Sequence, residues 1–175
     1  MSYHWSLYLC VFLALWAMLT GGVFKAFSEF VMRGLAQAEP VSGIAAMQGI
    51  NRTVLRTEFV FAILALGAIT PGFALYAYFA LDGTAAVLIV AAAAVYLPSA
   101  LIMTILGNVP MNNRLDRVDP ASAEAAEYWA HYVSRWTALN QFRTLGCIVT
   151  GTLYALAALE LGAATGRVGG NAMGF

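Results

Sequence analysis

Charged residues are scarce in this chain of 175 residues. They make up 10% of it, against roughly 25% in a soluble globular domain, and nine Lys and Arg balance nine Asp and Glu. This balance provides no strongly basic surface, so we expect no nucleic-acid partner. With 61% hydrophobic residues and a mean hydropathy of +0.75, the composition is that of a protein surrounded by lipid.

Histidine and cysteine are equally scarce, with two of each. His4 and His131 fall on opposite sides of the predicted membrane, which excludes a paired-histidine metal or haem site and leaves single-point ligation by His131 as the alternative. Cys10 and Cys147 lie inside apolar runs and are expected to pack as small groups, not to form a disulfide. The chain also lacks a Gly-rich phosphate loop, so we predict no nucleotide, metal or other cofactor.

Long stretches without charge are what the chain does have, at 6–24, 59–81 and 83–107, with a shorter one at 144–159. About 20 apolar residues are enough for a helix to cross a bilayer. The sequence therefore predicts an all-α fold, an integral membrane four-helix bundle with cytoplasmic loop helices. We predict a single transmembrane domain at 1–164, with spans at about 5–30, 58–81, 84–107 and 138–162, and a flexible Gly-rich tail at 165–175.

The basic residues orient the predicted bundle. Eight lie in the two long connections, and one, Arg167, lies on the opposite side. Basic residues accumulate on the cytoplasmic side of membrane proteins, so both connections are expected inside and both termini outside the cytoplasm. A bacterial inner membrane is the expected location. The eight are Lys25, Arg33, Arg52, Arg56, Arg114, Arg117, Arg135 and Arg143.

Prolines mark predicted helix ends and kinks. Pro40 follows the end of the first helix, and Asp119, followed by Pro120, is the predicted N-cap of the last one. Pro71 and Pro98 fall inside the second and third spans. Because each removes a helical hydrogen bond, we expect a kink at both positions.

A polar block directly follows the third apolar run. Residues 105–119 read I-L-G-N-V-P-M-N-N-R-L-D-R-V-D and include three asparagines. Polar groups at membrane depth are costly unless they face the bundle interior and pair with one another, so we expect other polar residues to meet this block. The alternative is a structural network that only locks the helices together. The polar candidates are Glu29, Asn51, Asn108, Asn112, Asn113, Asn140 and Arg143.

Three of the predicted positions have competing interpretations. Glu29 shares a helix face with Lys25 and Arg33 at spacings of four, which fits either exposed ion pairs or a partly buried carboxylate held between the two cations. Inside the bundle, Glu29 would pair with Arg143 among the amides. Trp136 lies on a face with Arg143, and its ring fits either an interfacial aromatic belt or a wall of the site. Arg143 has room to snorkel to water, but the face it occupies favours the bundle interior.

Four segments in these regions resemble one known family. They are A-F-S-E-F-V-M-R at 26–33, G-I-A-A-M-Q-G-I-N at 43–51, G-N-V-P-M-N-N-R-L at 107–115 and W-T-A-L-N-Q-F-R at 136–143. In this order they resemble the anthrone oxygenase-like family of small membrane proteins, long described as a domain of unknown function, over residues 5–160. The resemblance implies a four-helix membrane protein. For some members it also implies oxidation of tricyclic anthrones to anthraquinones by dioxygen with no evident cofactor, whereas many others have no known activity.

The last segment departs from the family pattern. Where Trp-Asn-His is common in the family, this chain has Leu139, Asn140 and Gln141. The missing histidine argues against a histidine-based acid–base step in this chain.

Anthrone oxidation sets requirements that the residues can be compared with. An anthrone has an acidic benzylic C–H, and its carbanion reacts directly with dioxygen. The reaction requires a general base, donors for the developing oxyanion and a dry apolar slot. Residues and resemblance together predict a membrane-embedded, cofactor-independent oxygenase of a flat apolar aromatic, anthrone-like compound. Its predicted site has Glu29 as the catalytic base and Arg143 as the catalytic oxyanion donor, with Asn51, Asn108, Asn112, Asn113, Trp136 and Asn140 binding the substrate.

A function of a different class is the alternative. The chain also fits a non-catalytic small membrane subunit, or a lipid- or pigment-binding accessory protein of a larger membrane complex, because Gly and Ala on its outer faces suit helix association. A carrier or channel is less favoured, since the sequence has no repeated half and no ring of like charges. Membrane lipid is an expected partner in each case, and a homo-oligomer or a larger complex is the expected assembly.

Overall fold

A computed structural model describes the backbone of residues 4–172 and the side chains of residues 4–165. That part of the chain is helical almost throughout and contains no strand. Its helices are α1 (His4–Gln37), α2 (Pro40–Val54), α3 (Glu58–Ala80), α4 (Gly83–Arg117) and α5 (Ala123–Ala172). All but α2 are long and apolar enough to cross a membrane, which confirms the predicted all-α membrane bundle.

Three of the spanning helices extend well beyond the predicted crossing segments. α1, α4 and α5 all continue toward the side on which α2 lies. We call this side the α2 end of the bundle; it consists of residues 24–37, α2, and the adjoining ends of α3, α4 and α5. The predicted tail at 165–175 lies outside the described side chains, and its flexibility remains a prediction.

The helix ends follow local hydrogen bonding. α2 starts at Pro40, and Gly83 makes the short turn into α4 with a φ of +73°, a conformation that glycine adopts without strain. α5 starts at Ala123, where the Ser122 hydroxyl accepts the N–H of Ala125 at 3.1 Å. The predicted N-cap at Asp119 is therefore wrong. Its carboxylate accepts a backbone N–H within the preceding turn, at 3.0 Å, and the helix begins only after that turn.

Small residues bring the spanning helices close together. α5 packs along both α1 and α4, and α3 packs mainly on α4. A Cβ at Gly21 of α1 would lie 3.0 Å from the Cβ of Cys147, and one at Gly146 of α5 would lie only 1.9 Å from the Ser99 hydroxyl of α4. These contacts leave no room for a side chain, so glycine fixes the helix spacing at both crossings.

α1 and α4 contain wide turns of the π-helix type. They occupy Phe27–Val31 in α1, and Leu97–Ile102 and Thr104–Asn108 in α4. The N–H of Met32 bonds to the carbonyl of Phe27, five residues back, and Val109 bonds in the same way to Thr104. Each wide turn accommodates more residues than an α-helical turn and so shifts which residues face inward.

The two prolines within the spans behave differently. Pro98 lies in the first wide turn of α4, where its missing N–H coincides with the change from α-helical to π-type bonding. α3 continues through Pro71 as one helix from Glu58 to Ala80. The interruption in α4 is thus the one that changes the bonding pattern of its helix.

The α2 end has its own hydrophobic core. It is separate from the main core of the bundle and holds α2 against α4 and α5. Trp129 stacks on Tyr132 at 5.6 Å between ring centroids, and a Cβ at Gly43 of α2 would lie 3.0 Å from the Trp129 ring. Gln48 of α2 donates to the carbonyls of Leu115 and Val118, each at 2.9 Å. These contacts fix α2 across the end of the bundle. The buried members of this core are Met32, Ile44, Met47, Leu115, Ala125, Tyr128, Trp129, Tyr132 and Trp136.

Candidate functional site

A cavity of about 260 Å³ lies at the α2 end, and all five helices contribute to its wall. Most of the wall is apolar, with Phe24, Phe59 and Ile63 among its residues. Its volume is just below the range of roughly 300–1,000 Å³ that is common for small-molecule sites. The cavity therefore suits one compact molecule. Its polar lining residues are Asn51, Arg52, Thr104, Asn108, Asn112, Asn113, Asp116, Asn140 and Arg143.

α4 supplies the polar residues of one wall. Thr104, Asn108, Asn112 and Asp116 follow one another at spacings of four and all line the cavity. Thr104 and Asn108 are the first and last residues of a wide turn. Asn108 is almost completely buried, and its Nδ2 donates to the carbonyl of Trp136 in α5 at 3.2 Å. The polar block after the third span therefore forms part of the cavity wall.

Arg143 points into the bundle. Only 5% of it is exposed. Its Nη1 donates to the Thr104 hydroxyl at 3.1 Å, and its Nη2 donates to Oδ1 of Asn140 at 2.6 Å. The guanidinium also lies over the Phe24 ring, 4.2 Å from the centroid, and 5.5 Å from the ring of Trp136. Its position matches the predicted inward orientation and not the snorkelling alternative.

No carboxylate compensates the charge of Arg143 among the described side chains. The ion pairs in that part of the chain are Lys25–Glu29 and Arg52–Asp116. Arg143 has only neutral partners, and its Nε has no hydrogen-bond partner there. A buried cation that meets only neutral dipoles and aromatic rings keeps most of its attraction for an anion. The site is electrostatically complementary to a negatively charged group.

Asn140 holds Arg143 in place. Its Nδ2 donates to the carbonyl of Phe24 at 2.5 Å and to the Ser28 hydroxyl at 2.6 Å, while its Oδ1 receives Nη2 of Arg143. Asn140 lines the cavity, but both hydrogens of its amide are used within the protein. Asn140 therefore fixes the orientation of the Arg143 side chain. Its binding to a substrate stays a prediction.

Asn112 and Asn113 occupy different parts of the cavity. Oδ1 of Asn112 accepts both the Tyr132 hydroxyl and Nε1 of Trp136, each at 2.8 Å. The indole of Trp136 is thereby fixed in the wall between α4 and α5. Asn113 is exposed and lies at the rim. Of the two asparagines, Asn112 is the inward one.

Three buried polar atoms of the lining have no hydrogen-bond partner among the described residues. They are Nδ2 of Asn51, Oδ1 of Asn108 and Nε of Arg143. Unpartnered polar atoms are rare in folded proteins because each costs about 1–3 kcal/mol when buried. Two donors and one acceptor, on residues that line one cavity, are therefore left without a partner among the described residues.

Glu29 lies outside the cavity, and its predicted pairing with Arg143 is wrong. Its side chain is 56% exposed and pairs with Lys25 four residues earlier. The wide turn at Phe27–Val31 explains this placement, because Ser28 takes the inward position and meets Asn140. The neighbouring Glu29 then points away from the bundle. The exposed ion-pair interpretation describes it correctly.

The structure adds two charged residues that the sequence did not single out. Asp116 of α4 and Arg52 of α2 both line the cavity, and Nη1 of Arg52 lies 2.9 Å from Oδ1 of Asp116. The signal for Asp116 was its spacing of four and eight from Asn112 and Asn108. Asp116 is the one carboxylate among the described lining residues.

Residues suited to a metal do not cluster in the described part of the chain. No group of three or more His, Cys, Asp or Glu is placed to hold an ion there. His131, the predicted alternative for single-point ligation, is exposed and stacks on Tyr128 at 6.1 Å, and it does not line the cavity. The polar groups of the cavity are instead amides, a hydroxyl, two guanidinium groups and the single carboxylate of Asp116, which is paired with Arg52. This set suits an organic anion better than a transition metal.

Of three comparisons with known proteins, the one with protein-family models gives a match. A family model described as "Anthrone oxygenase" matches residues 51–153, which is more than half of the chain. The matched region begins at Asn51 and includes the polar wall of α4 together with Trp136, Asn140 and Arg143. The searches of curated proteins and of solved structures return no match.

Proposed function

The chain belongs to the anthrone oxygenase family, and from this premise we propose that it is a membrane-embedded oxygenase. Its substrate class would be a flat apolar aromatic, anthrone-like compound, oxidised by dioxygen without a cofactor. The resemblance found in the sequence segments is confirmed by the family match. Substrate and catalysis are the proposed part.

Arg143 carries the proposal. Its buried guanidinium has neutral partners only and borders an apolar cavity. Loss of a proton from an anthrone produces an enolate whose negative charge rests mainly on the oxygen of the former carbonyl group. Fixed donors in a dry site stabilise such a charge far more than water does, because they need no reorganisation when it forms. Arg143 and the nearby amides supply donors of this kind.

The proposed reaction proceeds through the substrate anion. A base removes one proton from the CH₂ carbon opposite the carbonyl, and the resulting carbanion bonds to one atom of dioxygen to give a hydroperoxide after protonation. Loss of the second hydrogen from that carbon breaks the O–O bond and releases water. The balance is anthrone plus O₂ to anthraquinone plus H₂O, with the substrate carbon oxidised and dioxygen reduced.

The lining residues suggest distinct contributions. Nε of Arg143 and Nδ2 of Asn51 are unpartnered donors that would bond to the enolate oxygen, and Oδ1 of Asn108 is an unpartnered acceptor that would bond to a substrate hydroxyl. All three atoms are buried, so these side chains would have to turn toward the substrate when it binds. Trp136 provides a flat apolar wall, held in orientation by Asn112. This arrangement would bind a ring compound with one oxygen toward Arg143.

Asp116 is the proposed base. Glu29, the base predicted from the sequence, does not line the cavity. Asp116 does, and its Oδ1 contacts Arg52 at 2.9 Å while Oδ2 has no such contact. A carboxylate oxygen at the rim of an apolar slot is suited to accept a proton from a substrate and pass it to water.

The orientation in the membrane is part of the same proposal. Eight of the nine basic residues lie at 25–56 or at 114–143, the two parts of the chain that form the α2 end. Basic residues favour the cytoplasmic side, which would place α2 and the cavity mouth there in a bacterial inner membrane, with both termini outside.

The test is aerobic turnover of 9-anthrone by the purified protein in lipid vesicles, followed by the absorbance of the quinone. Empty vesicles give the spontaneous rate, which is subtracted. We expect turnover by the unchanged chain and a fall in kcat/KM of about 100-fold or more in Arg143→Ala, the effect of removing an oxyanion donor. Arg135→Ala is the matched control, because Arg135 is an exposed residue of the same helix outside the cavity.

Two results would overturn the proposal. One is a folded protein without turnover above the empty vesicles, and the other is wild-type activity in Arg143→Ala. A pigment or partner protein that stays bound through purification, with no turnover, would favour the accessory-subunit alternative.

A further inference from the structure

Two residues that line the cavity also lie on the outer, lipid-facing surface of the bundle. Leu64 of α3 and Ile105 of α4 line the cavity, yet 54% of Leu64 and 50% of Ile105 are exposed. Both belong to helices that are apolar and long enough to cross a membrane. Their exposed surface is therefore expected to meet lipid, which makes the space between them the expected opening of the cavity toward lipid.

The gap arises from the way α3 and α4 pack. The two helices are tied together deeper in the bundle, where the Tyr96 hydroxyl donates to the carbonyl of Ile63 at 2.9 Å. A Cβ at Gly67 would lie 2.9 Å from Cδ2 of Leu101, so the helices also touch there. Toward the α2 end, α4 enters its second wide turn and its packing on α3 becomes sparse. α3 and α4 are therefore in contact at Ile63–Tyr96 and Gly67–Leu101, whereas few contacts join them along the second wide turn of α4.

The other end of the same opening is polar. Asn113, Asp116 and Arg52 line the cavity where it reaches the end of the bundle, and all three are exposed. The Arg52–Asp116 ion pair connects α2 to α4 across this end. Gln48 holds the same two elements together through the carbonyl of Leu115. The opening thus changes from apolar side chains at the lipid to a charged bridge at the water side.

We propose that the cavity receives its ligand sideways from the bilayer leaflet on the α2 side, through the gap between Leu64 and Ile105, while the Arg52–Asp116 bridge closes the water side. The ligand class, an apolar ring compound dissolved in lipid, rests on the proposed function. The route itself rests only on the position and exposure of the lining residues.

Partitioning gives the physical reason for such a route. A flat aromatic compound is concentrated in hydrocarbon relative to water, since every apolar Å² removed from water contributes about 25 cal/mol. A lateral route keeps the ring in an apolar medium all the way to the cavity. A route through the α2 end would instead require the ring to cross water and separate a charged pair.

A cysteine reporter in the cavity tests the route without requiring turnover. Leu101→Cys places a thiol in the lining, and the unchanged chain, whose Cys10 and Cys147 are buried, gives the background. The protein in vesicles is treated with N-(1-pyrenyl)maleimide, which dissolves in the bilayer, or with a charged, membrane-impermeant methanethiosulfonate. Labelling rates are read from pyrene fluorescence and from mass.

Bulky substitutions at the gap identify the path. We expect fast labelling by the pyrene reagent and slow labelling by the charged one. Ile105→Trp in the reporter chain should slow pyrene labelling by about tenfold or more, the change that ~1.4 kcal/mol of added barrier produces. Leu106→Trp is the matched control, because Leu106 is 74% exposed on the same helix and does not line the cavity.

A second pair of variants tests the route independently, in case the Ile105→Trp protein does not fold. Leu64→Trp should slow pyrene labelling as Ile105→Trp does, whereas Leu75→Trp, on the exposed surface of the same helix, should leave the rate unchanged. Arg52→Ala should raise labelling by the charged reagent, because it removes the bridge on the water side.

The outcomes separate the route from the reaction. Equal rates in Ile105→Trp, Leu64→Trp and their controls, or faster labelling by the charged reagent than by the pyrene reagent, would overturn the lateral route. If the labelling pattern is as expected but 9-anthrone is not oxidised, the lateral route stands and the proposed oxygenase function fails.

Discussion

The two halves of the bundle use the same kind of helix in opposite ways. In the half away from α2, small residues close the contacts: a Cβ at Gly151 would lie 2.8 Å from Cγ of Met18, and Tyr154 stacks on Phe73 at 6.2 Å. In the half at the α2 end, wide turns in α1 and α4 accompany a cavity. The hydrophobic sequence places the helices in the membrane, and small residues let them pack closely. Their hydrogen-bond register determines whether space remains between them.

Buried polar atoms extend this comparison. The half away from α2 also has hydroxyls without a partner among the described residues, on Ser6, Thr70, Thr150 and Tyr154. None of these four residues lines the cavity. At the α2 end, three of the four unpartnered atoms belong to residues that line one cavity, Asn51, Asn108 and Arg143, and the fourth is the Thr137 hydroxyl. An unpartnered polar atom indicates a site when it lines a space that a ligand can occupy.

The largest expected effect comes from breaking the hydrogen-bonded support of the α2 half. Asn140→Ala removes the partner of the Phe24 carbonyl, of Ser28 and of Nη2 of Arg143 together. We expect a loss of about 2–4 kcal/mol in the free energy of unfolding, since several buried groups lose their bonds, and a large loss of anthrone turnover. Thermal unfolding in detergent and the turnover assay measure the two effects.

Gln141→Ala is the control for that variant, because Gln141 is the exposed neighbour on the same helix. Equal unfolding temperatures for Asn140→Ala and the unchanged chain would contradict the supporting contribution of Asn140.

A tight helix crossing should respond next. In Gly146→Ala, the new methyl group would meet the Ser99 hydroxyl at 1.9 Å and its Cβ at 2.4 Å. The helices must move apart, and we expect a loss of about 1–3 kcal/mol in the free energy of unfolding. Gly22→Ala is the matched control with no atom within 4 Å of the added Cβ. It should be neutral or slightly more stable, and an equal loss in both variants would show that the crossing is not the cause.

Adjacent asparagines sharpen the comparison within the cavity. Asn112→Ala removes the shared acceptor of Tyr132 and Trp136, and we expect about 1–2 kcal/mol less stability. The fluorescence of Trp136 should change, and KM for anthrone should rise more than kcat falls. Asn113→Ala, at the exposed rim, should change neither the unfolding temperature nor the fluorescence. A stronger effect of Asn113→Ala would reverse the assignment of the inward residue.

The smallest effect is expected at Glu29. Glu29→Gln removes an exposed ion pair with Lys25, which is worth about 0.2–1 kcal/mol or less. Turnover should stay at the rate of the unchanged chain, because the residue does not line the cavity. A rate lowered by tenfold or more, about 1.4 kcal/mol, would return Glu29 to the reaction.

The sequence predicted the helices and most of the polar lining for definite reasons. Membrane-length apolar runs identify the spans directly. The cost of burying amides in lipid required Asn108, Asn140 and Arg143 to face one another, and they do line one cavity. Periodicity brought Trp136 and Arg143 to the same side of α5, as the structure confirms.

Glu29 and Asp116 show where this reasoning stopped. Spacings of four correctly placed Glu29 beside Lys25, with which it pairs. They could not show that the wide turn at Phe27–Val31 brings Ser28, and not Glu29, to Asn140. Nothing in the residue types of that segment indicates the change in bonding. Asp116 was at the correct spacing, but only the fold brings Arg52 and α2 across from it.

The wide turns also have a consequence for how proteins of this architecture can diverge. A wide turn contains one residue more than an α-helical turn, and the helical segments on either side of it keep the faces that they present to the bundle. Deleting one residue from Thr104–Asn108 would restore ordinary helical bonding while leaving both flanks in place, and would alter chiefly the side chains presented to the cavity. A single codon gained or lost can therefore change what the cavity recognises, with no need to redesign the membrane-spanning scaffold.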